Sequence, residues 1–308
     1  YPFNCNESVA LVDKLIRNRK IQKRRSDTVT HRTDLTRNLG RLRMLKSVDE
    51  IKLMREAGRI SAQGHLDAMR ACRSGLTEDQ LASIVEHRFR MEGSPALAYQ
   101  TIVGGGENAC ILHYVARSDV LRDGDMVLID AGCEVEGYAG DITRTFPVNG
   151  KFSETQANLY DVVLQAQKAA INEMRVGKTI KCFHDVAIRV LTEGLVDLGI
   201  IDGPCEKAIE EKLYLPYYMH GTGHFLGLDV HDVGHYGTDD DPAILEAGMV
   251  LTCEPGLYIG ALSEAPEEYR GNGMRIEDNI LIRDGEPEVL TYQIPKERAE
   301  IEAVMRDK

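Results

Sequence analysis

Apolar positions recur at helical spacing in several stretches of the chain. Ile51, Met54 and Ile60 share one face of a 3.6-residue period, as do Leu81, Ile84 and Val85, and then Leu159, Val162 and Val163. Each stretch opens on the same polar signature: Ser47-Val-Asp-Glu50, Thr77-Glu-Asp-Gln80 and Ser153-Glu-Thr-Gln156. This is a capping box, in which a hydroxyl accepts from the third helical amide and the Glu or Gln side chain accepts from the cap's own amide. A fourth helix is predicted over residues 183–198, and Val9, Leu11, Leu15 and Ile16 predict a short helix that runs into a basic stretch at 17–25. Residues 26–46 carry no strong periodicity and read as a connector, the basic run as a solvated face. The continuous apolar runs at 126–129 and 249–253 read as buried strands.

The pattern repeats. Helix, Gly75-Leu-Thr77, helix and strands are followed about 102 residues later by helix, Gly177-Lys-Thr179, helix and strands. Gly124-Asp-Met-Val-Leu-Ile-Asp130-Ala-Gly132 corresponds to Gly248-Met-Val-Leu-Thr-Cys-Glu254-Pro-Gly256, up to one residue. Helices in pairs followed by strands in runs predict an α+β fold, duplicated, with a central and mostly antiparallel sheet.

With 308 residues, 43% of them hydrophobic and 28% charged, the chain has the composition of one large or two ordinary globular domains. No stretch approaches the roughly 20 apolar residues that span a bilayer, so no membrane role is expected. The net charge of −12 argues against nucleic acid as the main partner. That charge is uneven: residues 1–46 carry 12 basic and 4 acidic groups, against 25 and 45 in the rest. Seven cysteines without a CxxC pair fit buried thiols in a reducing compartment, which places the protein in the cytoplasm. Tyr1 in place of an initiator Met indicates that the natural start has been removed or that part of the chain lies upstream.

Several motifs fail on inspection. Gly177-Lys-Thr179 lacks the P-loop's first glycine, the position being Asn172, and follows a helix instead of a strand. His220-Gly-Thr-Gly-His224 has zincin spacing but no Glu, and its glycines disfavour a helix. Gly104-Gly-Gly106 reads as a tight turn, and Asp239-Asp-Asp-Pro242 as an acidic surface turn.

The carboxylates in apolar, β-rich surroundings carry the chemistry. Asp130 and Glu254 end strand runs, Asp141 follows a glycine-punctuated stretch able to fold back as a hairpin, and Glu277 sits inside an apolar run at 274–282. A lone carboxylate in such a place is costly to bury. Four of them, two from each half, point to convergence, and convergence requires cations. An oxygen-rich set with an imidazole suits Mn²⁺, Co²⁺ or Zn²⁺, and two ions sharing bridging carboxylates would hold a water and polarise a carbonyl for hydrolysis. His220, His224 and His231, three in twelve residues beside glycines, favour a site over scattered structural histidines.

The segments Thr101-Ile-Val-Gly-Gly-Gly-Glu-Asn-Ala-Cys-Ile-Leu-His113-Tyr, Ile129-Asp130-Ala-Gly-Cys, Gly137-Tyr-Ala-Gly-Asp141-Ile-Thr-Arg-Thr-Phe, His220 to Asp232, Glu254-Pro-Gly-Leu-Tyr258 and Arg275-Ile-Glu277-Asp resemble the aminopeptidase P (Xaa-Pro aminopeptidase) family, bacterial type. The resemblance implies a pita-bread fold, a pseudo-twofold curved sheet covered by helices. It implies that Asp130, Asp141, His224, Glu254 and Glu277 hold two divalent ions, commonly Mn²⁺, with Co²⁺, Zn²⁺ or Fe²⁺ also accepted. Asp141 and Glu277 would bridge, Asp130 would complete one ion, and His224 with Glu254 the other. Glu254 would also be the acid/base acting on a bridging water or hydroxide. His113 and His231 would stabilise the tetrahedral intermediate or the leaving nitrogen, and His220, Arg275 and Tyr258 would shape a proline pocket. The implied substrates are peptides with proline second, and the implied assembly of the full-length protein is a dimer or tetramer. Residues 1–46 would be the end of a creatinase-like N-terminal domain plus connector, and 47–308 the catalytic domain. A prolidase acting on Xaa-Pro dipeptides and a metal-free binding relative are the alternatives.

Overall fold

The computed structural model describes residues 6–21, 34–238 and 240–307. Helix α1 (Asn6–Ile21) confirms the first predicted helix and takes in the first part of the basic stretch, whose residues 22–25 lie outside the described residues. The expected connector is a correction, because it contains α2 (Thr36–Met44). Apolar periodicity misses α2 because ion pairs to distant residues hold it: Arg41 with Glu246, and Arg43 with Asp229 at 2.7 Å and with Asp232. Immediately after it, the Lys46 amide donates to the Gly248 carbonyl at 2.8 Å.

Helix α3 (Val48–Ala71) and α4 (Glu78–Met91) form the first helical pair. Strands β1 (Ala96–Leu97), β2 (Ile102–Gly105), β3 (Met126–Asp130), β4 (Cys133–Val135), β5 (Tyr138–Ala139) and β6 (Thr143–Pro147) follow. The second half repeats the plan with α5 (Glu154–Glu173), α6 (Ile180–Asp197) and the short α7 (Cys205–Glu210). Then come β7 (Val250–Cys253), β8 (Gly256–Ile259), β9 (Asn272–Arg275), β10 (Asp278–Leu281), β11 (Glu288–Val289) and α8 (Arg298–Arg306). All three predicted capping boxes form, at Ser47, Thr77 and Ser153. The fourth predicted helix is α6, which begins earlier than expected because the Thr179 hydroxyl caps the Cys182 amide. Ser47→Ala is expected to cost about 1 kcal/mol of stability in urea denaturation, as loss of an N-cap hydroxyl usually does.

Every strand pair among the described residues is antiparallel, in sheets ordered β1-β4-β5, β2-β3-β6, β11-β10-β7 and β8-β9. The duplication is visible in matching backbone bonds. Thr77 bridges to Val120 as Thr179 bridges to Ile244, and Gly75 donates to Leu121 as Gly177 donates to Leu245, both at 2.9 Å. Central strands carry the core: Val127, Ile129 and Phe146 pack with Met69, Leu81 and Phe89 from the first helical pair and Leu159, Val163 and Leu191 from the second. The glycine run is a second correction. Gly104 and Gly105 lie in β2 opposite Leu128 and Val127, and the chain turns only at Gly106.

Candidate metal centre

In each half, one carboxylate ends the first of two paired strands and another precedes its partner. Asp130 closes β3, and the chain returns through the β4–β5 hairpin to Asp141, just ahead of β6. The hairpin turns at Glu136 and Gly137, both with positive φ (49° and 85°), as a two-residue loop matched to strand twist requires. Gly132 permits the return strand to come close, since a Cβ there would lie 1.8 Å from the Gly140 carbonyl oxygen. In the second half Cys253 stands opposite Asp278, so Glu254 and Glu277 follow as the next facing pair. The halves join where the Glu277 amide donates to the Thr143 carbonyl at 3.0 Å. Arg144, fully buried, fastens that junction by donating to the carbonyls of Glu277 (2.6 Å) and Thr143 (2.9 Å) and to the Asp278 carboxylate (2.7 Å).

One donor atom each from Asp141, His224 and Glu277 lies within 4.8 Å of the others. His224 Nε2 is 3.4 Å from Asp141 and 3.5 Å from Glu254, while its Nδ1 is 3.0 Å from the Phe225 carbonyl. With Nδ1–H donating to that carbonyl, Nε2 is left to face the carboxylates, the tautomer a metal-ligating imidazole needs. Asp130 accepts from the Arg275 guanidinium at 2.6 Å. The cluster lines a cleft of about 480 Å³.

Burial first holds the carboxyls of Asp141 and Glu277 above the usual carboxylate range; neighbouring negative charge adds to it, and at Asp141 the hydrogen bond to His224 opposes it. Burial also pushes Glu254 up to about 7 against the opposing pull of His224. Burial alone would lower His224, but Asp141 and Glu254 outweigh it and raise the imidazole to about 9. Groups so placed retain protons that a doubly charged cation would displace. The donor set of carboxylate oxygens and one imidazole fits a hard or borderline divalent ion. The adjoining thiol, Cys253, points elsewhere, its Sγ 3.8 Å from the Gln167 carbonyl.

The structure brings nine of the ten sequence-predicted residues to the cleft wall: Asp130, Asp141, His224, Glu254 and Glu277, with His113, His220, His231 and Arg275 around them. The His231 ring lies 4.2 Å from that of His224. Tyr258 stands behind the wall instead. Its hydroxyl accepts from Arg275 at 2.9 Å and meets His220 Nε2 at 2.8 Å, while His220 Nδ1 faces the Gly221 carbonyl at 2.8 Å. The consistent proton order is Arg275 to Tyr258 to His220 to the Gly221 carbonyl. It keeps His220 neutral, in agreement with a pKa lowered to about 4 by burial and then by Arg275.

Sequence reasoning missed the groups that orient these side chains. Tyr99 Oη lies 2.6 Å from Asp130 and 2.5 Å from Asp141. Thr143 donates to Glu277 at 2.7 Å, Thr252 donates to Glu254 at 3.2 Å, and Asn279 pairs with both backbone groups of Asp141. Thr143, Thr252 and Asn279 each lie two residues from a predicted ligand in a strand segment, an alternation that could have found them; Tyr99 carried no such signal.

An antiparallel, duplicated α+β framework with a buried carboxylate and imidazole cluster between its halves is the pita-bread arrangement of metal-dependent peptidases. The chain belongs to metallopeptidase family M24, which it matches over residues 52–284. It is 52% identical over 267 residues to the Xaa-Pro aminopeptidase of Haemophilus influenzae, covering 87% of this chain and 62% of that protein. It superimposes on proline aminopeptidase P II from Yersinia pestis with a TM-score of 0.88 and 50% identity, covering 90% of this chain and 63% of that one. It also superimposes on zinc-substituted Escherichia coli aminopeptidase P in complex with product, with a TM-score of 0.87 and 48% identity, covering 89% and 62%. The chain thus spans about six tenths of the length of the relatives it matches.

Proposed function

We propose that this chain is the catalytic part of a Xaa-Pro aminopeptidase, a metal-dependent hydrolase that removes the N-terminal residue from peptides with proline second. The observation that carries the reading is the convergence of Asp141, His224 and Glu277 in one cleft, from both halves of the duplicated fold. Asp130, Asp141, His224, Glu254 and Glu277 would hold two divalent ions, Mn²⁺ first among those the donor set accepts, with Asp141 and Glu277 shared between them. The ions, when bound, polarise the scissile carbonyl and acidify water.

Glu254, whose carboxyl titrates near 7 in the protein alone, takes a proton from the attacking water and returns it to the departing prolyl nitrogen. His113 and His231, both in the cleft wall, stabilise the developing charge. His220 and Arg275 form the wall for the proline ring, and Tyr258 holds both in place from behind. The acidic cleft favours the substrate's cationic amino terminus. A proline at the second position makes the scissile bond a tertiary amide without N–H, so shape is the means of selection.

Residues 1–46 would be the end of a preceding domain, and the full-length protein a dimer or tetramer working in the cytoplasm. No described helix is long and apolar enough to cross a membrane. Similarity to Xaa-Pro aminopeptidases favours this reading over a prolidase or a metal-free relative. The test is hydrolysis of a Xaa-Pro tripeptide and of a Xaa-Pro dipeptide, with and without Mn²⁺. Metal-dependent cleavage of the tripeptide is expected. Cleavage of the dipeptide alone indicates the prolidase, and no cleavage with no bound metal the binding relative.

A further inference from the structure

The two flanking histidines sit on corresponding connections, one in each half, leading into the bridges at Val120 and Ile244. The connections are anchored differently. In the first half Glu78, the first residue of α4, is completely buried and receives four donors. One oxygen accepts from the Gly105 amide (2.8 Å) and the Asn108 side-chain amide (2.9 Å). The other accepts from the Tyr114 hydroxyl (2.9 Å) and the Asp119 amide (3.1 Å). The Glu78 amide itself donates to the Asp119 carbonyl at 3.0 Å, and the Asp79 amide to the carbonyl of Arg117, which adopts a positive φ of 50°. The loop is therefore tied at its start, its middle and its end to one carboxylate, and His113 is the residue next to the tied Tyr114.

In the second half the residue after the matching Thr179 is Ile180, which offers no acceptor. There a cavity of about 690 Å³ lies between the start of α6 and Gly237, Thr238 and Pro242. Glu78 is thus a device of one half only, the half whose loop carries His113.

We propose that Glu78 is the positioning residue that holds His113 over the cleft, an inference that rests on the peptidase reading above. A carboxylate supplies two oxygens that only accept, which four converging donors require. Glu78→Gln keeps the volume but turns an amide toward two of those donors. The test combines steady-state hydrolysis of a Xaa-Pro tripeptide by Mn²⁺-loaded protein with amide hydrogen exchange of the metal-free protein.

Glu78→Gln is expected to lower kcat about 10- to 100-fold, the usual cost of misplacing a catalytic group by about an ångström. In a His113→Ala background the same substitution is expected to cost less than about threefold, the mark of two residues acting as one. Gly105 and Asp119 lose exchange protection, while residues 250–253 keep theirs. Losses that multiply across the two backgrounds overturn the proposal, and so does unchanged protection of the loop. Should Glu78→Gln fail to fold cooperatively, Tyr114→Phe, which removes one tie, carries both measurements with the same pattern expected. An unmodified protein that cleaves no peptide refutes the peptidase reading alone, because the exchange measurement still decides whether Glu78 orders the loop.

Discussion

Glu277→Ala is expected to abolish Xaa-Pro hydrolysis, with a fall of at least about 10³-fold, since a metal centre contributes several kcal/mol to the barrier and each 1.4 kcal/mol is a factor of ten. Glu277 is 2% exposed and lies where the halves join, its carboxylate accepting from Thr143 and its backbone bonded across the junction. Its removal takes an acceptor from both proposed ions. Asp141→Ala, which removes the other shared ligand, is expected to match it. The isosteric Glu277→Gln separates chemistry from folding. It mimics the protonated carboxyl that burial favours in the metal-free cluster and cannot be deprotonated for a cation, so the metal-free variant should be at least as stable as the unmodified protein while remaining inactive. Kinetics, metal content by mass spectrometry and urea denaturation on the same preparations check this together. Activity retained by Glu277→Ala with metal bound would sink the shared-ligand assignment.

The metal-free protein should lose stability as pH rises from 7 to 9, and added Mn²⁺ should restore it most at the alkaline end. Glu254 titrates near 7 in the fold against an ordinary 4.5, so the folded chain holds a proton that the unfolded chain has released. Its contribution is most favourable below 4.5 and is lost as pH rises through 7. His224, raised to about 9 from 6.5, contributes stability that is full below 6.5 and lost as pH rises through 9. Both effects have the same sign. His65 and His220, lowered to about 4 by burial, act oppositely, but only below 6.5, where their unfolded forms begin to charge. The lower part of the window from 7 to 9 therefore reports the carboxylate and imidazole cluster, and only toward 9 do the thiols of Cys110, Cys133 and Cys253, raised by burial, add a loss of the same sign. Metal binding needs these groups deprotonated and strengthens with pH. At a hundredfold excess over Kd, Mn²⁺ should add about 2.7 kcal/mol. Thermal denaturation in chelator and in Mn²⁺ across that window checks it. A metal-free melting temperature that climbs with pH, or a melting temperature indifferent to Mn²⁺ at pH 9, would contradict the centre.

Much of this protein was legible before any coordinates. The capping boxes at Ser47, Thr77 and Ser153 close through bonds spanning three residues, so their partners are neighbours in the chain and the pattern alone specifies them. The duplication was legible because each half ends an apolar strand in a carboxylate followed by a glycine. Asp130, Asp141, Glu254 and Glu277 were conspicuous because charge is expensive among buried strands, a cost that depends on little beyond local composition. The metal-binding chemistry followed from four such charges needing cations.

Other features depend on partners that only folding brings together. Thr143 meets Glu277 across 134 residues, and Tyr99 reaches Asp141 across 42, so no spacing announces either contact. Helix α2 hides from periodicity because ions over 180 residues away hold it. Tyr258 reads from the sequence as pocket lining, yet it stands opposite Gly273, and the guanidinium of Arg275 two residues further along that strand reaches its hydroxyl, which makes it a prop behind the wall. Glu78 is polar, at a helix start where Glu is commonplace, and its burial by a loop up to 41 residues downstream is what gives it a function. Local rules settle which segments become helices and strands and which charges are anomalous. Which of those charges share a cleft, and which hydroxyls and amides aim them, is decided by long-range packing, where the energies of individual contacts depend on neighbours that the linear order does not contain.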